Sequence, residues 1–151
     1  SCRPSPALRT AHFTFCAEPF EGTAITNGDI TMGISPPGDW HLYLNDTPVG
    51  DFSDPRSFAK GKRIATFQRE GTTGGMAIRS ESIGVLSFVL QDSRKFTFHG
   101  KDYDLRELIP DGVTQIGYGS AALQPGLPKY PQIKCFAATA MAVGQSTSAT
   151  D

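Results

Sequence analysis

The stretch "TNGDITMGISPPGDWHLYLN", residues 26–45, decides the fold class, because its apolar residues recur at every second position. Asn27-Gly28 is a dipeptide that two-residue β-hairpin turns prefer, since both central residues of such a turn need a positive φ. The run 30–34 alternates as a strand does, and "SPPGD" (35–39) ends it, because proline cannot donate to a strand ladder. The stretch therefore predicts two short strands separated by a break.

The second of these strands divides its large side chains between two faces. Trp40 shares one face with Leu42 and Leu44, whereas His41 shares the other with Tyr43. We therefore expect Trp40 to be an anchor in the core or at its rim. His41 and Tyr43 become a candidate pair only if their face lines a cavity.

The same period of two continues along the rest of the chain. The tripeptide Pro-Asp-Gly at 110–112 predicts a turn, and 103–109 is predicted as the one short helical segment. Further strands are predicted at 12–16, 63–70, 76–80, 83–90, 95–100, 113–119 and 132–143. This spacing is typical of an all-β fold, and we favour a small antiparallel β-barrel of about eight strands, with a β-sandwich or jelly roll as the alternative.

The 151 residues suit one domain. We predict an irregular arm at 1–10, a single β-barrel domain at 11–144 and a flexible tail at 145–151. Lys and Arg number 14 against 15 Asp and Glu, so no basic face is available for nucleic acid. No apolar run is long enough for a membrane span, so membrane insertion is not expected. No nucleotide or dinucleotide motif is present, and no cofactor is predicted.

Three cysteines make an odd count, and we predict a Cys16–Cys135 disulfide that joins an early strand to the last, with Cys2 left over. The alternative is three reduced cysteines. The low charged fraction, 19%, and the disulfide together predict a secreted protein. Asn45-Asp46-Thr47 matches an N-glycosylation triplet, which makes Asn45 a candidate acceptor.

No catalytic or metal-binding spacing occurs among the three histidines or the nucleophilic residues, and no metal is predicted. A small barrel can instead hold a ligand in its lumen, lined by inward polar side chains. Candidates for that lining are His12, His41, Tyr43, Gln68, Arg79, Glu81 and Tyr118. Among them, the catalytic candidates are His41, Tyr43, Arg79 and Glu81, and the ligand-binding candidates are His41, Tyr43, Tyr118 and, beside them, Trp40.

Three functions fit these features. The first is a secreted barrel that binds a small apolar molecule or a glycan. The second is a cofactor-independent cyclase or isomerase that holds an apolar substrate in the barrel and polarises it with Tyr, Arg or His. The third is a protein-binding effector or inhibitor module that acts through the loops 35–39 or 46–61. The sequence leaves open whether the protein is an enzyme and what its oligomeric state is.

The segment "VGDFSDPRSFAKGKRIATFQREG", residues 49–71, resembles the early strands of small eight-stranded barrels of the allene-oxide-cyclase and dirigent type. The resemblance covers 23 of the 151 residues and includes no catalytic motif. It implies a barrel, and no site residue is taken from it.

Overall fold

The computed structural model describes residues 10–19, 22–51, 54–70, 73–78, 81–120, 124–127, 130–133 and 136–142. The predicted arm, apart from Thr10, and the predicted tail lie outside these residues. The strands of the described part are β1 (Phe13–Ala17), β2 (Thr23–Asn27), β3 (Ile30–Ser35), β4 (Gly38–Leu44), β5 (Lys62–Arg69), β6 (Thr73–Ile78), β7 (Glu81–Ser93), β8 (Phe96–Phe98), β9 (Lys101–Tyr103), β10 (Val113–Ser120), β11 (Gln124–Leu127), β12 (Tyr130–Ile133) and β13 (Phe136–Ala142). Its helical elements are the 3₁₀ turn Pro55–Ala59 and the short helix α1 (Leu105–Leu108).

One antiparallel sheet of nine strands is built around the long strand β7. One edge of β7 pairs with β6 along its first half and with β5 along its second half, and the other edge pairs with β10. The sheet continues from β5 to β4 and β1, from β6 to β3 and β2, and from β10 to β13. The hairpins β8–β9 and β11–β12 form two small sheets of their own.

The mostly antiparallel all-β fold is confirmed, but the predicted closed barrel is not. Closure would require β13 to pair with β1 or β2, the other two outer strands, and within the described residues it shares a ladder with neither. The first strand therefore ends the sheet beyond β4, and the last strand ends it beyond β10. The sheet is open.

The predicted Cys16–Cys135 disulfide, which would have tied these two ends together, is not seen. Cys16 lies in β1 with a free thiol. Cys135 lies outside the described residues, as does Cys2.

Two turns follow the sequence prediction closely. Gly28, between β2 and β3, has φ 59°, and Gly112, before β10, has φ 94°. These are left-handed conformations that glycine adopts without steric cost. The turn predicted at 110–112 is confirmed. The hairpin predicted at Asn27-Gly28 is also present, but its two turn residues are Gly28-Asp29, because Asn27 is paired with Ile30 at the end of β2 and does not have a positive φ.

The buried core lies on one face of the sheet, over β4, β5 and the second half of β7. Ile64 is fully buried, and Leu42, Phe67 and Leu90 are nearly so. The β8–β9 hairpin covers one end of this core. There the ring of Phe98 lies 4.9 Å, centre to centre, from that of Phe13 in an edge-to-face contact, a geometry that aromatic pairs favour.

Large apolar side chains lie on the opposite face of the sheet, over β2, β3, β6, the first half of β7, and β10. A row of directly paired residues crosses five strands, and its members are Ile25, Met32, Met76, Ile83 and Tyr118. Two further aliphatic pairs flank this row, Ile30 with Ile78 and Val85 with Ile116. We call these nine residues the isoleucine–methionine face. Each of them is between 37% and 58% exposed.

The reverse side of this region carries glycines and small side chains. The neighbouring register row consists of Ala24, Gly33, Gly75, Gly84, Gly117 and Ala138. Successive residues of a strand point to opposite faces, so the sequence places its bulk on one side and its glycines on the other. This part of the sheet therefore has only one face able to form an apolar interface.

Asp104 links α1 to the end of β7, and this gives a pH-dependent prediction. Its carboxylate accepts a hydrogen bond from Ser93 Oγ at 2.6 Å and one from the backbone N–H of Arg106 at 2.9 Å. The Ser93 hydrogen bond, followed by that from Arg106, lowers the pKa of Asp104 below its ordinary 3.8. The ionised form is thus favoured in the folded state, so its contribution to stability is present above pH 3.8 and is lost as the pH falls through the lower folded value.

The variant Asp104→Asn keeps an acceptor at the helix N-terminus and removes the charge. We expect it to be less stable than the wild type at neutral pH, and we expect the gap to narrow as the pH falls below 3.8. Urea unfolding at a series of pH values measures this. A gap that does not change with pH would show that the charge of Asp104 contributes nothing.

Candidate functional site

A pocket of about 170 Å³ lies on the core face of the sheet, at its open side. Its walls come from six strands, including the outer strands β1 and β13. The lining residues are Phe15, Trp40, Phe67, Phe88, Val113, Gln115 and Ala140. Phe15 is 52% exposed and Ala140 is also exposed, so the pocket opens to solvent between β1 and β13.

Strand register explains how the aromatic walls come together. Trp40 in β4 is paired directly with Phe67 in β5, so the two rings leave the sheet on the same face. The ring of Trp40 lies 5.0 Å from that of Phe88 and 6.5 Å from that of Phe15, both edge to face. The result is a wall of four aromatic side chains on strands that are held by their own ladders.

One polar group in this wall is not satisfied. The indole Nε1 of Trp40 is buried and has no hydrogen-bond partner among the described residues. A buried donor without an acceptor costs about 1–3 kcal/mol, so such groups are rare in native structures. The amide of Gln115 is the other polar side chain of the lining. The pocket therefore presents an apolar volume, and one of its wall residues, Trp40, carries a buried N–H that no acceptor among the described residues satisfies.

Arg69 lies on the same face of β5, two residues beyond Phe67, and is almost wholly buried. Its Nε donates to the carbonyl oxygen of Pro36 at 2.7 Å, and its Nη2 donates to the same oxygen. Burial lowers the pKa of the guanidinium. Gly38 is paired with Arg69 and leaves the room that the guanidinium occupies, because a Cβ there would lie 3.1 Å from Nη2.

The alternation predicted for residues 40–44 is confirmed, and it separates the predicted site residues. Trp40 lines the pocket, whereas His41 and Tyr43 lie on the other face, with ring centres 6.4 Å apart. His41 Nδ1 is 3.1 Å from Thr66 Oγ1, and its Nε2 is 3.8 Å from a carboxylate oxygen of Glu18. His41 and Tyr43 thus form a group with β5 rather than with the pocket.

Glu81 and Tyr118 lie together, far along the sheet at the isoleucine–methionine face. Glu81 accepts a hydrogen bond from the Tyr118 hydroxyl, and this contact together with the carboxylate charge raises the pKa of Tyr118. Gln68 is exposed, and its Oε1 lies 3.4 Å from Gln91 Nε2. Arg79 lies outside the described residues. The structure therefore does not bring the four catalytic candidates to one place among the residues it describes.

The histidines do not converge either. The rings of His12 and His99 lie 6.3 Å apart, and His41 is engaged with Thr66. No cluster of three or more His, Cys, Asp or Glu side chains suited to a metal ion occurs in the described part of the chain.

Asn45, the candidate glycosylation site, is held inside the fold. It is 5% exposed, and its Nδ2 donates to His12 O at 3.2 Å and to Thr14 Oγ1 at 3.1 Å. Thr14 in turn donates to Phe58 O at 2.7 Å, which fastens the 3₁₀ turn over β1. The nitrogen to which a glycan would be attached is therefore used by the folded structure.

Sequence reasoning found Trp40 and missed most of the pocket. The period of two assigns Phe15, Phe67 and Phe88 to apolar faces of their strands. It does not show that a pocket lies beside them. Gln115 lies in β10 between Thr114 and Ile116. A polar residue at a position that faces the core was the signal in the sequence that could have indicated this wall of the pocket.

The chain has no match among protein-family models, curated proteins or solved structures. Within the described ranges, none of the helices has the length and apolar character needed to cross a membrane.

Proposed function

We propose that this protein binds a small, largely apolar molecule that carries one hydrogen-bond acceptor. The observation that supports the proposal most directly is the pocket of about 170 Å³ with aromatic walls, one of which, Trp40, also has a buried Nε1–H that is unpartnered among the described residues. A ligand carbonyl or ether oxygen would accept that hydrogen bond, and its hydrocarbon part would replace water against the rings. Gln115 supplies a second polar contact at the same site.

The volume of the pocket limits the ligand. An apolar cavity of about 150 Å³ is large enough for benzene. A pocket of about 170 Å³ therefore suits a single ring or a short branched chain. Because the pocket opens between β1 and β13, a longer ligand would extend from the opening into solvent. Such a lining favours an apolar ligand over a glycan, since sugar hydroxyls need many polar partners.

The residues that line the pocket support binding rather than catalysis. A cyclase or isomerase reaction in the pocket would need a titratable side chain beside the substrate, and none of the described residues that line the pocket titrates. His41 and Tyr43, the nearest candidates along the chain, belong to the other face. Closure of the barrel is not required, since the open sheet already brings six strands to the pocket.

The single tryptophan makes the proposal directly testable, because the ¹⁵N-labelled protein has one indole N–H resonance. Acetophenone and isopropylbenzene form a matched pair of nearly equal shape, of which only acetophenone has an acceptor oxygen. We expect both to raise the melting temperature, and only acetophenone to move the indole proton strongly downfield. The hydrogen bond should contribute about two- to tenfold to the affinity for acetophenone, the value of one net hydrogen bond, and this contribution is isolated by comparing the wild type with a variant that has no donor.

The variant Trp40→Phe keeps an aromatic wall and removes the donor. We expect it to lose affinity for acetophenone by about two- to tenfold while its affinity for isopropylbenzene stays nearly unchanged, as measured by calorimetry. If neither compound perturbs the indole resonance or the melting temperature of the wild type, the pocket is not a binding site. If Trp40→Phe changes the affinities for acetophenone and isopropylbenzene by the same factor, the Trp40 donor has no part in recognition.

A further inference from the structure

The isoleucine–methionine face is a second unassigned surface, on the opposite side of the sheet from the pocket. Its central row runs without interruption through five strands, from Ile25 to Tyr118, by direct pairing of each residue with the next. Antiparallel sheets normally cover one face with a core and leave the other polar. Here the reverse side carries a row of glycines, and the apolar side is exposed.

The size of the face is that of an interface rather than of an ordinary surface patch. Nine side chains, each about half exposed, present on the order of 800 Å². The largest apolar patch of a typical monomer is about 300–600 Å². A standard interface buries about 800 Å² on each partner. Burying this face against an equal one would therefore give an interface of the size that stable complexes have.

The chemistry of the face favours a partner with the same properties. Glu81 is the one charged side chain among the described residues of this face, and its carboxylate is hydrogen-bonded to Tyr118. No basic residue is described there that would select an acidic partner or an anionic membrane surface. An antiparallel sheet with aliphatic rows on one face is complementary to a copy of itself, because two such sheets pack face to face at about 10 Å with their strands inclined by about 30°.

We propose that a second copy of this chain packs on the isoleucine–methionine face, sheet against sheet, to form a two-fold dimer. Both copies contribute the same patch to the contact, as an isologous interface requires. Met32 and Met76 lie at the centre of the face and adapt their shape to it, since methionine fills irregular apolar gaps. The pockets lie on the opposite sides of the two sheets, so the dimer leaves them open.

Sedimentation equilibrium of the full chain across a wide concentration range tests the proposal. We expect the wild type to have about twice the monomer mass of 16.2 kDa. The variant Ile83→Lys places a charge in the middle of the row, at a position that is already 44% exposed in the monomer. It should weaken association at least about a hundredfold, because a buried unpaired charge is costly. Leu108→Lys is the matched control, since Leu108 lies in α1, outside the face, and should leave the dimer intact.

A second measurement leaves the sequence unchanged. The three methionines of the chain are Met32, Met76 and Met141, and the first two belong to the central row. With ¹³C-labelled methyl groups, the Met32 and Met76 signals should shift together on dilution, as the dimer dissociates. The proposal is overturned if the wild type has a mass of 16.2 kDa throughout and these signals stay fixed. It is equally overturned if Ile83→Lys folds and remains dimeric, or if the wild type is a monomer that binds phospholipid vesicles.

Discussion

Replacing Gly112 by alanine is expected to lower the free energy of unfolding by on the order of 4 kcal/mol or to prevent folding. Gly112 has φ 94°, and a Cβ at this position would overlap the carbonyl oxygen of Phe88. That carbonyl belongs to the central strand β7, where Phe88 is paired with Arg69 on one side and Val113 on the other. Neither backbone can move aside without breaking a ladder.

Gly100→Ala separates this clash from the cost of a left-handed backbone. Gly100 also has a positive φ, 74°, but nothing lies within 4 Å of its Cβ position. Its replacement should therefore cost only the conformational penalty, about 1–2 kcal/mol. Urea unfolding of the two variants measures the difference. Equal losses would mean that the close approach of Gly112 to β7 does not constrain the fold.

Replacing Phe67 by alanine is expected to cost about 3–5 kcal/mol, the range found for large-to-small changes at buried aromatic residues. Phe67 is 4% exposed and is paired with Trp40 on one side and Leu90 on the other. It belongs both to the core and to the pocket wall. Its loss leaves a cavity that the neighbouring strands cannot close, since their register is fixed by β7.

Denaturant unfolding followed by Trp40 emission measures this loss, because the fluorophore lies against the deleted ring. Leu108→Ala is a suitable control. Leu108 is exposed on α1, and its truncation should change stability by less than about 0.5 kcal/mol. A loss below 1 kcal/mol for Phe67→Ala would show that the packed core lies elsewhere.

The local predictions from sequence were accurate where one strand or one turn carried the information. The placement of Trp40 and His41 on opposite faces followed from the alternation of β4. Gly28 and Gly112 have the left-handed backbone that their turn motifs predicted. These features depend on residues close in the chain. The strand period and the restricted φ of most residues determine them without reference to the rest of the molecule.

The site was less predictable because it depends on contacts between distant strands. The pocket joins residue 15 to residue 140, and no local pattern shows that these strands approach one another. Asn45 illustrates the same limit. Its triplet suggested an exposed acceptor, yet its amide bonds to residues 31 and 33 positions earlier and is buried.

By itself the sequence determined an all-β chain, the division of Trp40 and His41 between two faces, and the left-handed glycines of two turns, because period and backbone sterics act over a few residues. Only the tertiary structure decided that β7 joins two half-sheets, that the sheet stays open, and that Trp40 borders a hollow rather than a filled core. Those outcomes depend on which strands pair over long distances in the chain. The pairing also decided that the isoleucine and methionine side chains form one continuous face, since their rows exist only in the register between strands.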